Sequence, residues 1–279
     1  MDTKILLLGE SDVGKTHFGG QLLGRLNQEQ GYLRMVGSVG SLAGFEEVLD
    51  ALNDGRAAQH TSALQYIEST WTVADPDGNA INLVWPDYGG EQVKAIRQDR
   101  KMPQAWRERV VASNAWVVMV RVHNTEVSDD IFSRPIADLN LSPNQPRGTF
   151  AMSEQARLVD FLQWLLFVKG RGMLRRIETP QLMLVLSCWD ELPTEEAGAL
   201  PSRVLESRMP LVGAFLRSNW EPSSVRVVGL SALERPLKEN SRDEEFIDKG
   251  PEQFGYVVDE GGQRSKDLTL MFKPFLQVA

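Results

Sequence analysis

The chain has a single cysteine, Cys188, in 279 residues, so no internal disulfide can form and a cysteine-rich zinc site is excluded. It has no surplus of positive charge. A net charge of −8 argues against a sequence-independent grip on nucleic acid, which needs Lys and Arg to neutralise phosphates. It has no apolar run long enough to span a bilayer; the most apolar helical stretch, residues 158–168, is short and carries Asp160 and Gln163. With the first strand beginning almost at Met1, no signal peptide is expected, and a reducing cytoplasm is the expected setting. No repeat or low-complexity segment occurs. What remains, 42% hydrophobic with 24% charged residues, is a composition that can bury a large core.

The chain is organised around Gly9-Glu10-Ser11-Asp12-Val13-Gly14-Lys15-Thr16. The apolar run Ile5-Leu6-Leu7-Leu8 precedes it, and Phe18, Leu22, Leu23 and Leu26 follow at helical spacing. Strand, glycine-containing turn and helix N-terminus together form a phosphate cradle. Glycine lets the backbone bend so that successive N–H groups face one anion, and the helix dipole favours negative charge there. In this pattern Gly9, Asp12, Val13 and Gly14 shape the loop, Lys15 reaches the β- and γ-phosphates, and the Thr16 hydroxyl holds Mg²⁺.

Further along, Phe45, Val48, Leu49 and Leu52 predict a short amphipathic helix. A polar loop, residues 56–62, leads to two β-rich runs, 64–73 and 80–85, joined by Asp75-Pro76-Asp77-Gly78-Asn79, which reads as an antiparallel hairpin. Asp87 stands at the tip of the second run, where phosphate-loop proteins hold the water shell of Mg²⁺. A helical region from 92 to 114 is broken or kinked at Pro103; its Lys and Arg residues read as a solvated face or, more sharply, as a surface for an acidic partner. Buried strands are expected at 115–122, 181–186 and 225–229, with helices at 153–170 (capped by Ser153) and 202–220 between them. Residues 124–153 lose periodicity and read as an insertion. The tail, 234–279, opens with a charged stretch and closes on an apolar segment that looks like a helix packed back on the domain. Strands alternating with helices predict an α/β, three-layer, mostly parallel sheet with one antiparallel edge hairpin.

The strand ends that line the crevice of such a sheet carry the phosphate loop, Asp87, Asp190 and Ser231-Ala232, in that order. In motif content and order the chain resembles the Ras-like GTPases of the translation-factor-related P-loop class, over residues 2–233. Within that class it is similar to bacterial double-GTPase-type proteins of conflict or signalling systems. Asp87 to Gly90 resembles the Asp-x-x-Gly box, Ser187-Cys188-Trp189-Asp190 a divergent guanine box, and Ser231-Ala232-Leu233 the Ser-Ala-Lys box. The resemblance implies a G domain over 1–233 that binds GTP or GDP with Mg²⁺, with Gly90 at the phosphates. Thr16, Asp87 and Thr61 (Ser62 in reserve) would hold the metal, Asp190, Ser231 and Ala232 the guanine, and Glu91 the water-positioning place beside Lys15. Cys188 and Leu233 stand where the family has lysines. A protein effector or activator at the switch loops is implied, and a homo- or heterodimer with another GTPase is compatible with it. Two other readings stay open: a nucleotide-binding interaction module that turns over negligibly, and a P-loop ATPase or kinase.

Overall fold

A strand whose inward and outward residues are all apolar must be covered on both faces. In the computed structural model, which describes residues 3–29, 31–37, 42–58, 69–86, 93, 96, 99–122, 152–171 and 175–278, residues 5–8 form such a run within β1 (Thr3–Gly9). Among the described residues eight more strands join it in one sheet: β2 (Arg34–Met35), β3 (Ser69–Ala74), β4 (Ala80–Trp85), β5 (Ala115–Arg121), β6 (Gln181–Ser187), β7 (Val225–Ser231), β8 (Tyr256–Val258) and β9 (Arg264–Ser265). Their order is β2-β3-β4-β1-β5-β6-β7-β8-β9. The run from β4 to β7 is parallel throughout. The predicted hairpin is β3–β4, with Thr72 opposite Asn82.

Alternate residues of β1 feed two cores. Ile5 and Leu7 pack with Phe18, Leu22 and Leu26 of α1 (Lys15–Asn27) and with Leu268, Phe272 and Phe275 of the tail. Leu6 and Leu8 face Trp106 and Val110 of α3 (Gln104–Ala112) and Phe161, Leu162 and Leu165 of α4 (Glu154–Val168). The short helix α2 (Ala43–Asn53) lies on α1, where Phe45 and Val48 sit against Gly19 and Gly20. These three layers leave the carboxyl ends of the parallel strands open as a crevice.

Several elements differ from expectation for local reasons. The 202–220 helix is two, α5 (Pro201–Arg208) and α6 (Pro210–Asn219), because Pro210 lacks the N–H that would continue the first. The region before α3 ends at Pro103, which sits at the N-cap of that helix. Ser153 caps α4 as expected, its Oγ accepting from the Ala156 N–H at 3.2 Å. The tail adds α7 (Glu244–Lys249) and the antiparallel strands β8 and β9 at the edge opposite the hairpin. Its last apolar segment, Leu268–Val278, is 3₁₀-helical with Pro274 inside it, rather than an α-helix. The insertion expected at 124–153 lies almost wholly outside the described residues.

The tail is pinned by a buried cation. Arg25 of α1 is 2% exposed and donates to the carbonyls of Phe254 (2.6 Å), Glu252 (3.2 Å) and Lys266 (3.3 Å) and to Gln21 Oε1 (2.5 Å). Burial lowers its pKa to about 10, so it stays charged at neutral pH. Arg25→Met leaves those carbonyls without a donor, and urea unfolding should show a loss of about 3 kcal/mol. A change below about 1 kcal/mol would show the tail is held by packing alone.

Candidate nucleotide site

Gly9 ends β1 at a point too tight for any side chain, since a methyl group there would come within 2.8 Å of Val13 and 2.9 Å of the Met119 carbonyl. The chain then turns through left-handed backbone at Asp12 (φ 62°) and Gly14 (φ 80°) before α1 begins at Lys15. Such alternation turns consecutive N–H groups toward one point, the geometry of an anion nest at a helix N-terminus. Gly14 meets only the Cys188 sulfur, 3.9 Å from where its side chain would begin, so conformation rather than space calls for glycine here.

Lys15 folds back across this loop, its Nζ donating to the carbonyls of Gly9 and Glu10 at 2.8 Å each. Burial of the ammonium lowers its pKa to about 8, with Glu10 and Asp12 pulling it partly back. A bound polyphosphate would favour the charged form, so the free protein sheds this proton at lower pH than the complex does. Polyphosphate binding then takes up a proton above about pH 8, and affinity should fall toward tenfold per pH unit from there to about pH 9. A titration of Kd over that range checks it; a flat profile would mean the ammonium does not face the ligand.

Across the crevice, β6 ends in Ser187, whose Oγ donates to the Val120 carbonyl at 3.0 Å. Cys188 follows in left-handed conformation (φ 53°), and burial pushes its thiol up to about 12, which keeps it protonated. Trp189 is fully buried against Gly229, with its Nε1 donating to the Ala197 carbonyl at 3.1 Å. That anchor swings Asp190 outward, exposed, onto the cavity wall. Glu191 is occupied by Arg121 from the end of β5, whose Nε donates to it at 2.8 Å. Ser231 is fully buried, and its Oγ accepts from the Glu234 N–H at 2.9 Å, so it shapes the turn after β7 from beneath while Ala232 reaches the cavity.

The result is a cavity of about 400 Å³. Of the residues expected from the sequence, it brings together Asp12, Val13, Gly14, Lys15, Thr16, Asp190 and Ala232, with Gly9 and Ser231 behind them. Thr61, Ser62, Asp87, Gly90 and Glu91 lie outside the described residues. Sequence reasoning missed Arg121 and Glu191, although an arginine in an otherwise apolar strand was a signal. It also missed His17, whose Nε2 accepts from the Ala58 N–H at 3.2 Å, and the wall that Arg235, Pro236, Leu237 and Glu239 form beyond Leu233.

Among the described residues no group of three or more His, Cys, Asp or Glu is placed to hold a metal, and no helix is long and apolar enough to cross a membrane. Solved structures similar to the chain include the Arl6 (BBS3) small GTPase of Trypanosoma brucei with a bound GppNp, at 13% identity over 84% of this chain and 89% of that one, TM-score 0.41. The GTP-bound Ski7 GTPase-like domain of S. cerevisiae is 11% identical over 84% of this chain and 43% of that one, TM-score 0.46. The signal recognition particle receptor SRb–GTP/SRX complex of Chaetomium thermophilum is 13% identical over 85% of this chain and 94% of that one, TM-score 0.38. No functionally curated protein matches the sequence significantly. The model of the Double-GTPase 1 family matches residues 6–274, through the phosphate loop, the crevice and nearly all of the tail, and the chain belongs to that family.

Proposed function

We propose that this protein is a guanine-nucleotide switch that hydrolyses GTP to GDP and phosphate with Mg²⁺, slowly on its own. The observation that carries this reading is that one cavity is lined both by Lys15, at the loop that forms an anion nest, and by the exposed Asp190. Guanine offers two adjacent donors, N1–H and the exocyclic amine, and one carboxylate accepts both. Adenine presents an acceptor beside its donor and would leave the carboxylate poorly paired.

The residues present suit Mg²⁺. That ion is usually bound through one or two protein oxygens plus substrate phosphates and water, rather than by a cage of carboxylates, and Thr16 offers a hydroxyl on the cavity wall beside Lys15. Thr16, with Asp87 and Thr61 from the neighbouring loops, would hold it, and when bound it neutralises charge on the β- and γ-phosphate oxygens. Lys15 adds a second positive charge at the same oxygens, and the loop N–H groups fix the chain of phosphates in line. Gly90 is assigned to the γ-phosphate, and Ser231 and Ala232 to the guanine side. Residues 56–62 and 87–92 are the loops that order around the γ-phosphate and present a surface to a protein effector or activator, with a second GTPase as one such partner. A cytoplasmic setting belongs to the same reading.

Glu91 occupies the place of the water-positioning residue. Its carboxylate can orient a water, yet it adds negative charge beside a triphosphate, which accounts for a slow intrinsic rate. Glu91→Gln keeps the hydrogen-bonding reach and removes the charge, so single-turnover hydrolysis should speed up about tenfold. An unchanged rate removes Glu91 from catalysis. The second reading, a module that holds guanine nucleotide without turnover, is favoured by Cys188 and Leu233; it predicts no phosphate release from either form.

A further inference from the structure

The cavity has a side that neither the phosphate loop nor Asp190 supplies. It is formed after β7 by Leu233, Arg235, Pro236, Leu237 and Glu239. Leu233 and Leu237 pack from behind on Val48, Leu52, Phe246 and Phe254, a small core separate from the two that flank the sheet. The rings of Phe246 and Phe254 stack with centroids 4.4 Å apart. Arg235 lies 4.7 Å over the Phe254 ring and pairs with Glu245 at 2.9 Å and Asp243 at 3.2 Å. The wall is therefore backed by packed side chains rather than by solvent.

The same segment grips residues 55–57 after α2. Lys238 accepts at its carbonyl from the Ala57 N–H (3.2 Å), and the Asp243 N–H donates to the Gly55 carbonyl (3.0 Å). Gly55 is in left-handed conformation (φ 64°), and a side chain there would come within 2.6 Å of the Asp243 carbonyl and 2.8 Å of Ile247. Only glycine permits so close an approach. Ala57 and Ala58, held this way, line the cavity themselves.

A purine has a polar edge and two apolar faces. With its edge at Asp190, one face needs an apolar surface, and Cys188 is too short to supply much of it. We propose that residues 233–243 form a latch on the base side of the cavity. Leu237, with Leu233 and Pro236, is the plate on which the purine lies. Lys238 and Asp243 join that plate to the root of the switch loop, so nucleotide leaves when the latch lifts. This inference rests on the guanine-nucleotide reading. Because coupling between two sites is reciprocal, a base that holds the latch down also holds residues 55–58.

Hydrogen exchange of the full chain with and without saturating GDP, together with stopped-flow release of a fluorescent GDP, tests the latch. GDP should slow exchange of the amides in 55–58 and 233–245 by about tenfold or more. Leu237→Ala should speed release of GDP and GTP alike by about tenfold, the loss expected for an apolar contact of this size. Unprotected amides in 233–245, or release from the folded variant at the wild-type rate, overturns the latch. If that variant does not fold, the wild-type exchange pattern decides alone. A wild type that binds GDP in a Lys15-dependent way without protecting 233–245 keeps the nucleotide site and loses the latch; a wild type that binds no GDP loses both.

Discussion

Lys15→Met should weaken binding of GTP and GDP by about a hundredfold or more while leaving the fold intact. The ammonium is enclosed by the loop, where its attraction for phosphate is screened far less than in water, and removing a partner of that kind typically costs about 3–5 kcal/mol. Each 1.4 kcal/mol is about a factor of ten in affinity, which sets the scale. Stability should move little. Methionine keeps most of the apolar stem, and the lost bonds to the Gly9 and Glu10 carbonyls are offset by no longer burying a charge. Isothermal titration with both nucleotides, beside a thermal melt, checks this. Retained affinity would place the phosphates elsewhere.

Asp190→Asn should lower GTP affinity by about a hundredfold and make xanthosine triphosphate the better ligand. The carboxylate offers two acceptors to the two donors on the guanine edge. The amide offers one acceptor and one donor, which leaves the guanine amine facing an N–H group. Xanthine carries a carbonyl in place of that amine, so its donor–acceptor edge matches the amide instead. Asp190 is exposed on the cavity wall and held out by buried Trp189, so the change alters recognition without touching the core. Competition between the two triphosphates for wild type and variant reads the exchange directly. If the variant binds GTP as the wild type does, Asp190 does not face the base.

What the sequence made legible follows from how locally each feature is encoded. β1, the loop and α1 are contiguous, and their apolar run, glycines and helical spacing are sufficient without knowledge of the rest. Ser153 was readable for the same reason, since a cap and its helix are neighbours. Strands β8 and β9 were not: with three and two residues they are too short for any alternation to emerge, and pairing makes them, β8 with β7 and β9 with β8. The break at Pro210 was hidden by apolar spacing that continues across it, from Val204 and Leu205 to Val212 and Leu216. At the site, Lys15 and Asp190 could be picked out as residues of one cavity because each belongs to a short motif at a strand end. Leu237 could not, because it stands between a proline and a charged run and its partners Val48 and Leu52 lie far away in the chain.

The central claim is that one cavity takes a triphosphate at Lys15 and selects guanine at Asp190. Displacement of a fluorescent GDP from the purified full chain by GTP and by ATP measures it most directly. The account predicts that GTP displaces it at a concentration about a hundredfold or more below that needed for ATP. Equal displacement, or a preference for ATP, would contradict it.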